Sequence, residues 1–266
     1  MATPAGPGPG YVLDNAAAGE LDRLRALEAA YDPSSAAHLA RLGVGPGSRV
    51  LFAGAGAGGL VAWAAERVGP AGAVVAVDLD PRFLVPLASP TVEVHAADVT
   101  AGTLPGGGYD AVHARLLLGH LPDPAAVLAT LAGGLRPGGA LLVEEYDWAS
   151  YGPAFPSAAA ERTIAAFTRV LAEGGFDPAL GRRLPTLLRR LGLAGVDAEG
   201  RVLTLRGAGS PTASVHRQTF AALVPKVLAA GLLTQDDLAA FAARMADPDF
   251  DALTPTMVSV WGRTIP

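Results

Sequence analysis

Between residues 49 and 147, short apolar runs alternate with helix-like segments, and this alternation constrains the fold more than any other feature. The runs are Arg49–Ala53, Ala73–Val77, Val92–Ala96, Asp110–Ala114 and Ala140–Glu144. They are rich in Val, Leu and Ala, with little of the polar–apolar alternation of a strand that has one face in water. Strands of this kind are covered on both faces, as in a parallel sheet with helices packed on either side. Leu60–Val68, Arg82–Ala88 and Ala125–Leu135 lie between them and read as those helices.

The flanks have a different rhythm. Residues 1–10, rich in Pro and Gly, read as a flexible tail. From Tyr11 to Leu42 the pattern is helical, with Leu21, Leu24, Leu27 and Ala30 at three-residue steps and Pro33 expected to break the run. After Asp147, Ala158–Leu171 and Leu184–Leu191 read as helices and Val196–Leu205 as a strand. Residues 212–246 read as helical, with a capped start at Thr234-Gln-Asp-Asp237. Thr256–Trp261 alternates as a closing antiparallel strand. The expected division is a tail (1–10), an N-terminal helical lid segment (11–42) and a core (43–150). Residues 151–266 would complete the sheet, with helical insertions near 151–178 and 211–247 forming an acceptor pocket.

Composition narrows the function. The chain has 266 residues and no cysteine, so disulfides, thiolate metal sites and cysteine nucleophiles are excluded. Half of it is hydrophobic, yet its apolar runs fall far short of the ~20 residues that span a membrane. The first ten residues have neither a basic start nor an apolar stretch, so no secretory signal is read and a cytoplasmic location is expected. Net charge is −5, and the densest basic cluster, Arg182-Arg183 with Arg189-Arg190, has the spacing of a solvated helix face. Nucleic acid is therefore not an expected partner. A homodimer is the assembly left open.

The loop Gly54-Ala-Gly-Ala-Gly58-Gly59 follows the first strand and opens a helix. Glycine there lets the backbone approach a ligand closely and aims helix N–H groups at it. Gly54, Gly56 and Gly59 satisfy the dinucleotide pattern, and Gly54, Gly56 and Gly58 that for S-adenosylmethionine. Asp78, about twenty residues further on, would take ribose hydroxyls in either case. A tight turn without a ligand is the plain alternative.

Later motifs separate the readings. Ala97-Asp98 follows the third strand, Tyr109–Arg115 enters the fourth, and Leu135-Arg-Pro-Gly-Gly139 leads through a turn into the fifth. This succession resembles the class I S-adenosylmethionine-dependent methyltransferases over roughly residues 45–150. Tyr11–Asn15 and Asp80–Leu84 look like a bacterial small-molecule subgroup of them. The resemblance implies a Rossmann-like α/β methyltransferase fold, with a seven-stranded mainly parallel sheet, an antiparallel last strand and helical lid insertions. It also implies S-adenosylmethionine as cofactor, S-adenosylhomocysteine as product and a small-molecule acceptor methylated on O, N or C. By position, Gly54, Ala55, Gly56 and Gly58 would line the methionine and ribose end. Asp78 would hold the ribose, with Leu79 on adenine. Ala97, Asp98 and Val99 would sit at the adenine edge, and Ala114 and Arg115 near the sulfonium.

One position departs from the family. Two residues before the first glycine, where the family carries Asp or Glu, stands Phe52. A phenyl ring cannot accept that hydrogen bond. The substitution predicts a weaker hold on the cofactor, or other residues holding its amino group. It also motivates an alternative, a protein of this fold that binds the cofactor as a cyclase or binding module without methyl transfer. An NAD-dependent oxidoreductase is third, on the shared glycine pattern alone.

Methyl transfer asks mainly for alignment, with a base where the acceptor must lose a proton. His120, just after the fourth strand, is the leading base, and Glu145 is its partner at the end of the fifth. Strand alternation puts Glu145 and Asp147 on one face, where they would orient a hydroxyl or amine. His113 reads as a packed core residue. No spaced ligand motif points to a metal.

Overall fold

The computed structural model of the chain describes residues 19–155, 157–206 and 211–266. The expected tail (1–10) and the Tyr11–Asn15 stretch lie outside them. The five apolar runs become β1 (Arg49–Ala53), β2 (Ala73–Asp78), β3 (Val92–Ala96), β4 (Tyr109–Arg115) and β5 (Leu135–Asp147). They are joined by β7 (Ala194–Arg201) and β10 (Thr256–Arg263) in a seven-stranded sheet of order β3-β2-β1-β4-β5-β10-β7. β1 to β5 pair in parallel, while β10 runs antiparallel to both β5 and β7. A second sheet joins β6 (Gly152–Pro153), β9 (Asp251–Leu253) and β8 (Thr204–Arg206) in that order. The segment expected as one strand over Val196–Leu205 is thus split between two sheets. Thr254 fixes the break, its Oγ1 accepting from Leu203 N at 2.9 Å.

Alternation along each strand explains the continuous apolar runs. In β1, Val50 and Phe52 face a core with Leu39, Leu60 and Val61 on α1 (Glu20–Arg41) and α2 (Gly59–Val68). Leu51 and Ala53 face the opposite core, closed by α3 (Pro124–Gly133) and α5 (Leu180–Arg190) through Leu128, Leu131, Leu184 and Leu188. With both faces buried, neither set of positions can be polar.

A third cluster joins α4 (Ala158–Glu173), α6 (Pro211–Ala229) and α7 (Gln235–Ala246) through Phe167, Leu171, Phe220, Leu223 and Phe241. α7 starts where expected, with a reciprocal capping box between Thr234 and Asp237. The helical stretch expected over 212–246 is two helices, parted at Ala230–Thr234, with the second opening at the expected cap.

Prolines account for two further differences. Pro33 lies inside α1 without ending it. It forfeits one backbone hydrogen bond, but Tyr31, Ser35, His38 and Leu39 are buried on either side and hold the helix through it. The helix expected over Arg82–Ala88 is two single 3-10 turns, Pro81–Phe83 and Val85–Leu87, because Pro86 has no N–H to continue an α-helix. The turn expected at Arg136–Gly139 is absorbed into β5, where the pairing with β4 shifts register after Tyr109↔Leu135.

Candidate active site

The strand order reverses between β1 and β4, the place in an open α/β sheet where a crevice opens beyond the strand ends. A cavity of about 390 Å³ lies there. Its floor is the glycine loop and the ends of β2 and β4, one wall is α1, and the far wall is α6.

The glycine loop is held by backbone and carboxylates. Gly54, Gly56 and Gly58 have φ of 66°, 61° and 94°, a region that strains any residue with a Cβ. Asp78 receives Gly56 N on Oδ2 and Asp80 N on Oδ1, each at 3.1 Å. Burial raises its pKa against those two amides. From α1, Glu28 reaches the start of α2 and accepts from Gly59 N at 2.9 Å. A Cβ at Gly59 would run into Asp32 Oδ2, so only glycine admits the two α1 carboxylates this close. Asp32 is paired with Arg115 at 2.6 Å. Burial, assisted by the neighbouring Asp32 charge, raises the Glu28 pKa.

Behind this end lies a buried polar network. Glu144 accepts from Ser259 at 2.6 Å, contacts His113 Nε2 at 2.9 Å, and is bonded by the Ser35 hydroxyl. Arg115 donates to Ser35 at 2.9 Å. Burial opposes ionisation of Glu144, but His113, Arg115 and Ser259 outweigh it and hold the pKa at about 2. Phe52 packs edge-on over His113, with ring centroids 5.5 Å apart. The ring thus caps the network where the sequence leads one to expect an acid.

Glu145 points elsewhere. Its Oε1 accepts from the amides of Leu117, Leu118 and Gly119 at 2.9, 2.6 and 3.3 Å, which fastens the turn after β4. Complete burial outweighs those amides and raises its pKa to about 7. All three donors address one oxygen, Oε1. Leu116, at the head of this turn, is the one non-glycine with positive φ among the described residues, at 51°. Such strain persists only where the surroundings impose it, and the Leu116 amide is itself fixed on the Glu144 carbonyl at 2.9 Å.

At the end away from the glycine loop, the cavity is walled by Tyr146, Trp148, Leu171, Phe176 and His216. The His216 ring packs 5.1 Å from Tyr151 and 6.4 Å from Tyr146, and Trp148 lies 5.4 Å from Tyr151. Trp148 Nε1 and His216 Nε2 are buried with no hydrogen-bond partner among the described residues. Leaving such a group unsatisfied costs about 1–3 kcal/mol, and both nitrogens lie inside the aromatic cluster rather than on its surface. Burial lowers the His216 pKa to about 4. His120, stacked on Phe176 at 4.8 Å, is lowered to about 4 by burial and then by the Arg23 charge.

Of the residues expected at the site, Gly54, Ala55, Gly56, Asp78, Leu79, Ala97, Asp98, Val99, Arg115 and His120 all line the cavity. Three do not. Gly58 is the turn residue before α2, packed against Leu84 and Leu87. Ala114 points into the opposite core, because its neighbours His113 and Arg115 take the cavity face of β4. Glu145 sits behind the turn it holds. It does not share a function with Asp147, which accepts twice from Arg182. Sequence reasoning also missed residues. Glu28 and Asp32 lie four apart on one helix face ahead of Pro33, a spacing the sequence itself displays. Trp148 and His216 come from segments far apart in the chain, and no local pattern links them.

Comparisons with known proteins bear on this arrangement. Residues 23–176 match the family described as a methyltransferase domain. The methyltransferase str2 of Strobilurus tenacellus is 32% identical over 149 residues, covering 54% of this chain and 53% of that protein. Nocamycin O-methyltransferase of Saccharothrix syringae is 38% identical over 101 residues, 35% of this chain and 36% of its own. The chain therefore spans about half or less of the curated relatives it matches. Among solved structures, phosphoethanolamine N-methyltransferase 2 of Haemonchus contortus, bound to phosphomonomethylethanolamine and S-adenosylhomocysteine, aligns with a TM-score of 0.59 at 15% identity. That alignment covers 96% of this chain and 60% of the other, and shows a shared Rossmann-like methyltransferase fold.

Proposed function

The chain belongs to the methyltransferase-domain family, and from that premise we propose that it transfers a methyl group from S-adenosylmethionine to a small molecule, leaving S-adenosylhomocysteine. The observation that carries this reading is the Glu28 carboxylate seated on Gly59 N at the start of α2. A dinucleotide places its pyrophosphate at that helix start. Here the position is filled by an acid of the chain itself, which would repel phosphate and attract a cation. That favours an ammonium-bearing cofactor over NAD.

The remaining residues fit the same group. When bound, S-adenosylmethionine supplies a methyl group on a positively charged sulfur. Asp78, its oxygens oriented by Gly56 and Asp80, accepts from the ribose hydroxyls. Leu79, 56% exposed, offers an apolar face to adenine. Ala97, Asp98 and Val99 form its edge. Asp98 Oδ1 is oriented by Thr100 N at 2.8 Å. Glu28 takes the ammonium, the task Phe52 cannot perform. Because a carboxylate returns to the loop from α1, Phe52 no longer argues for a protein that binds without methyl transfer.

His120 is the acid–base residue on the cofactor-side wall, neutral and so in its accepting form above its lowered pKa. Glu145 acts through the 117–119 turn and is a positioning residue. The cavity volume is within the ordinary range for small-molecule sites, and the name of the nocamycin relative favours an oxygen acceptor. A nucleic-acid partner is not part of this reading. The proposed setting is cytoplasmic, and a homodimer is tested by sizing the purified protein. Among the described residues, no helix is long and apolar enough to cross a membrane.

Calorimetric titration with S-adenosylmethionine, S-adenosylhomocysteine and NAD tests the reading. Binding of the first two and not the third is expected; binding of NAD alone overturns it.

A further inference from the structure

Formal charge is distributed unevenly along the cavity. Three arginines line it among the described residues, and each is paired with a carboxylate: Arg23 with Glu20, Arg82 with Asp80, Arg115 with Asp32. The lining carboxylates left over are Glu28, Asp78 and Asp98. They stand at the glycine loop and beside the ends of β2 and β3.

Away from the loop the charges cancel. Arg23 donates from Nε and Nη2 to the two oxygens of Glu20 at 2.8 and 2.6 Å, a forked geometry that suits a guanidinium and a carboxylate. The two side chains are only 12% and 7% exposed, so the pair is built into the wall at the first turn of α1. It lies close enough to His120 for the Arg23 charge to add to burial in lowering that ring's pKa to about 4. His216 is lowered to about 4 by burial, so both imidazoles are neutral at pH 7. Leu27, Leu171, Phe176 and Val215 supply apolar surface around them. A charged molecule entering here would lose its water and meet no uncompensated opposite charge.

We infer that the methyl acceptor is an uncharged, mainly apolar molecule, and that Glu20 is a specificity-determining residue because it cancels Arg23. This rests on the methyl-transfer reading, since it concerns the part of the cavity that the cofactor leaves to the acceptor. Without Glu20, the Arg23 guanidinium would offer its fork to an anionic group such as a carboxylate or a sulfonate.

The probes are two fluorophores that brighten in apolar sites and share one skeleton. N-phenyl-1-naphthylamine is uncharged near neutral pH, and 8-anilinonaphthalene-1-sulfonate adds one sulfonate. N-(1-naphthyl)ethylenediamine serves as the cationic counterpart. Each is titrated into protein saturated with S-adenosylhomocysteine. Saturable binding of the uncharged probe is expected, about tenfold or more tighter than that of either ion. Glu20→Gln keeps the shape of the side chain and removes its charge. It should tighten the sulfonate about fivefold and leave the uncharged probe within about twofold. Thr219, half-buried on α6, lines the same cavity. Thr219→Asp adds a charge there and should weaken the uncharged probe about fivefold. S-adenosylhomocysteine affinity, measured on each variant, should change less than about twofold and so reports that each is folded.

Equal binding of the uncharged and either charged probe overturns the inference, as does the absence of saturable binding of the uncharged one. So does a Glu20→Gln variant that binds the sulfonate like the wild type. An unchanged Thr219→Asp variant would put the probe outside the cavity and overturn it too. Each of these outcomes leaves the methyl-transfer reading standing, provided S-adenosylhomocysteine binds. Failure of S-adenosylhomocysteine to bind the wild type defeats both.

Discussion

The two ends of the cavity treat their polar groups in opposite ways. At the glycine loop, Asp78 and Glu28 are already held by backbone amides. At the aromatic wall, Trp148 Nε1 and His216 Nε2 have no such partner. The first end is organised before a ligand arrives, and its carboxylates lose little freedom on binding. The second keeps its two nitrogens inside the cluster and offers the cavity its aromatic and apolar surface. Affinity is therefore expected at the loop, and discrimination at the wall.

The comparison fails most visibly if Asp78 is not a principal anchor. Asp78→Ala removes two charge-assisted contacts to the ribose and should raise the S-adenosylmethionine Kd about a hundredfold. A change below threefold in calorimetric titration would assign the ribose elsewhere. Glu28→Gln should weaken the same cofactor about tenfold while relieving repulsion with Asp32. Unchanged affinity would return the ammonium to other residues and reopen the question posed by Phe52.

The wall is sharpened by acid titration of stability. The folded-state pKa of His216 is lowered to about 4, below the 6.5 of an exposed imidazole. Its contribution is complete above pH 6.5 and is lost as pH falls toward 4, because the unfolded chain takes up the proton first. His216→Phe should make that limb shallower by about one proton, or ~1.4 kcal/mol per pH unit, in denaturant midpoints measured against pH. Parallel limbs would mean that the ring is not held neutral.

The smallest effect is expected at Glu145, whose folded-state pKa is raised to about 7 from 4.5. Its contribution is present below pH 4.5 and is lost as pH rises through about 7. Glu145→Gln still offers an oxygen to the three amides and cannot ionise. It should therefore gain on the wild type as pH rises from 4.5 to about 7 and keep that gain above it, with cofactor affinity changed less than threefold.

The loop end was largely legible in the sequence because its geometry is local. Glycines between a strand and a helix, and an acid ending the next strand, are placed by chain connectivity and backbone conformation. Even there, strand alternation decided the details. His113 and Arg115 took the cavity face, and Ala114 the core. Glu145 was foreseen as a carboxylate at the right strand end, but its environment turned it onto the 117–119 amides. Pro33 misdirected the reading of α1, because packing of Tyr31 and Leu39 outweighed one lost hydrogen bond.

The alternation of apolar runs with helical segments by itself pointed to a mainly parallel sheet with two covered faces, since helical crossovers lie on both sides of such strands. The glycine loop and Asp78 likewise determined a strand–loop–helix turn tied to the end of the next strand. Only the tertiary structure brought the Glu28 carboxylate of α1 to the start of α2 beside the glycine loop. It alone brought Trp148 and His216 onto one wall with their nitrogens unsatisfied. Hydrogen-bond satisfaction depends on distances between segments remote in the chain, and no spacing within a single segment encodes those distances.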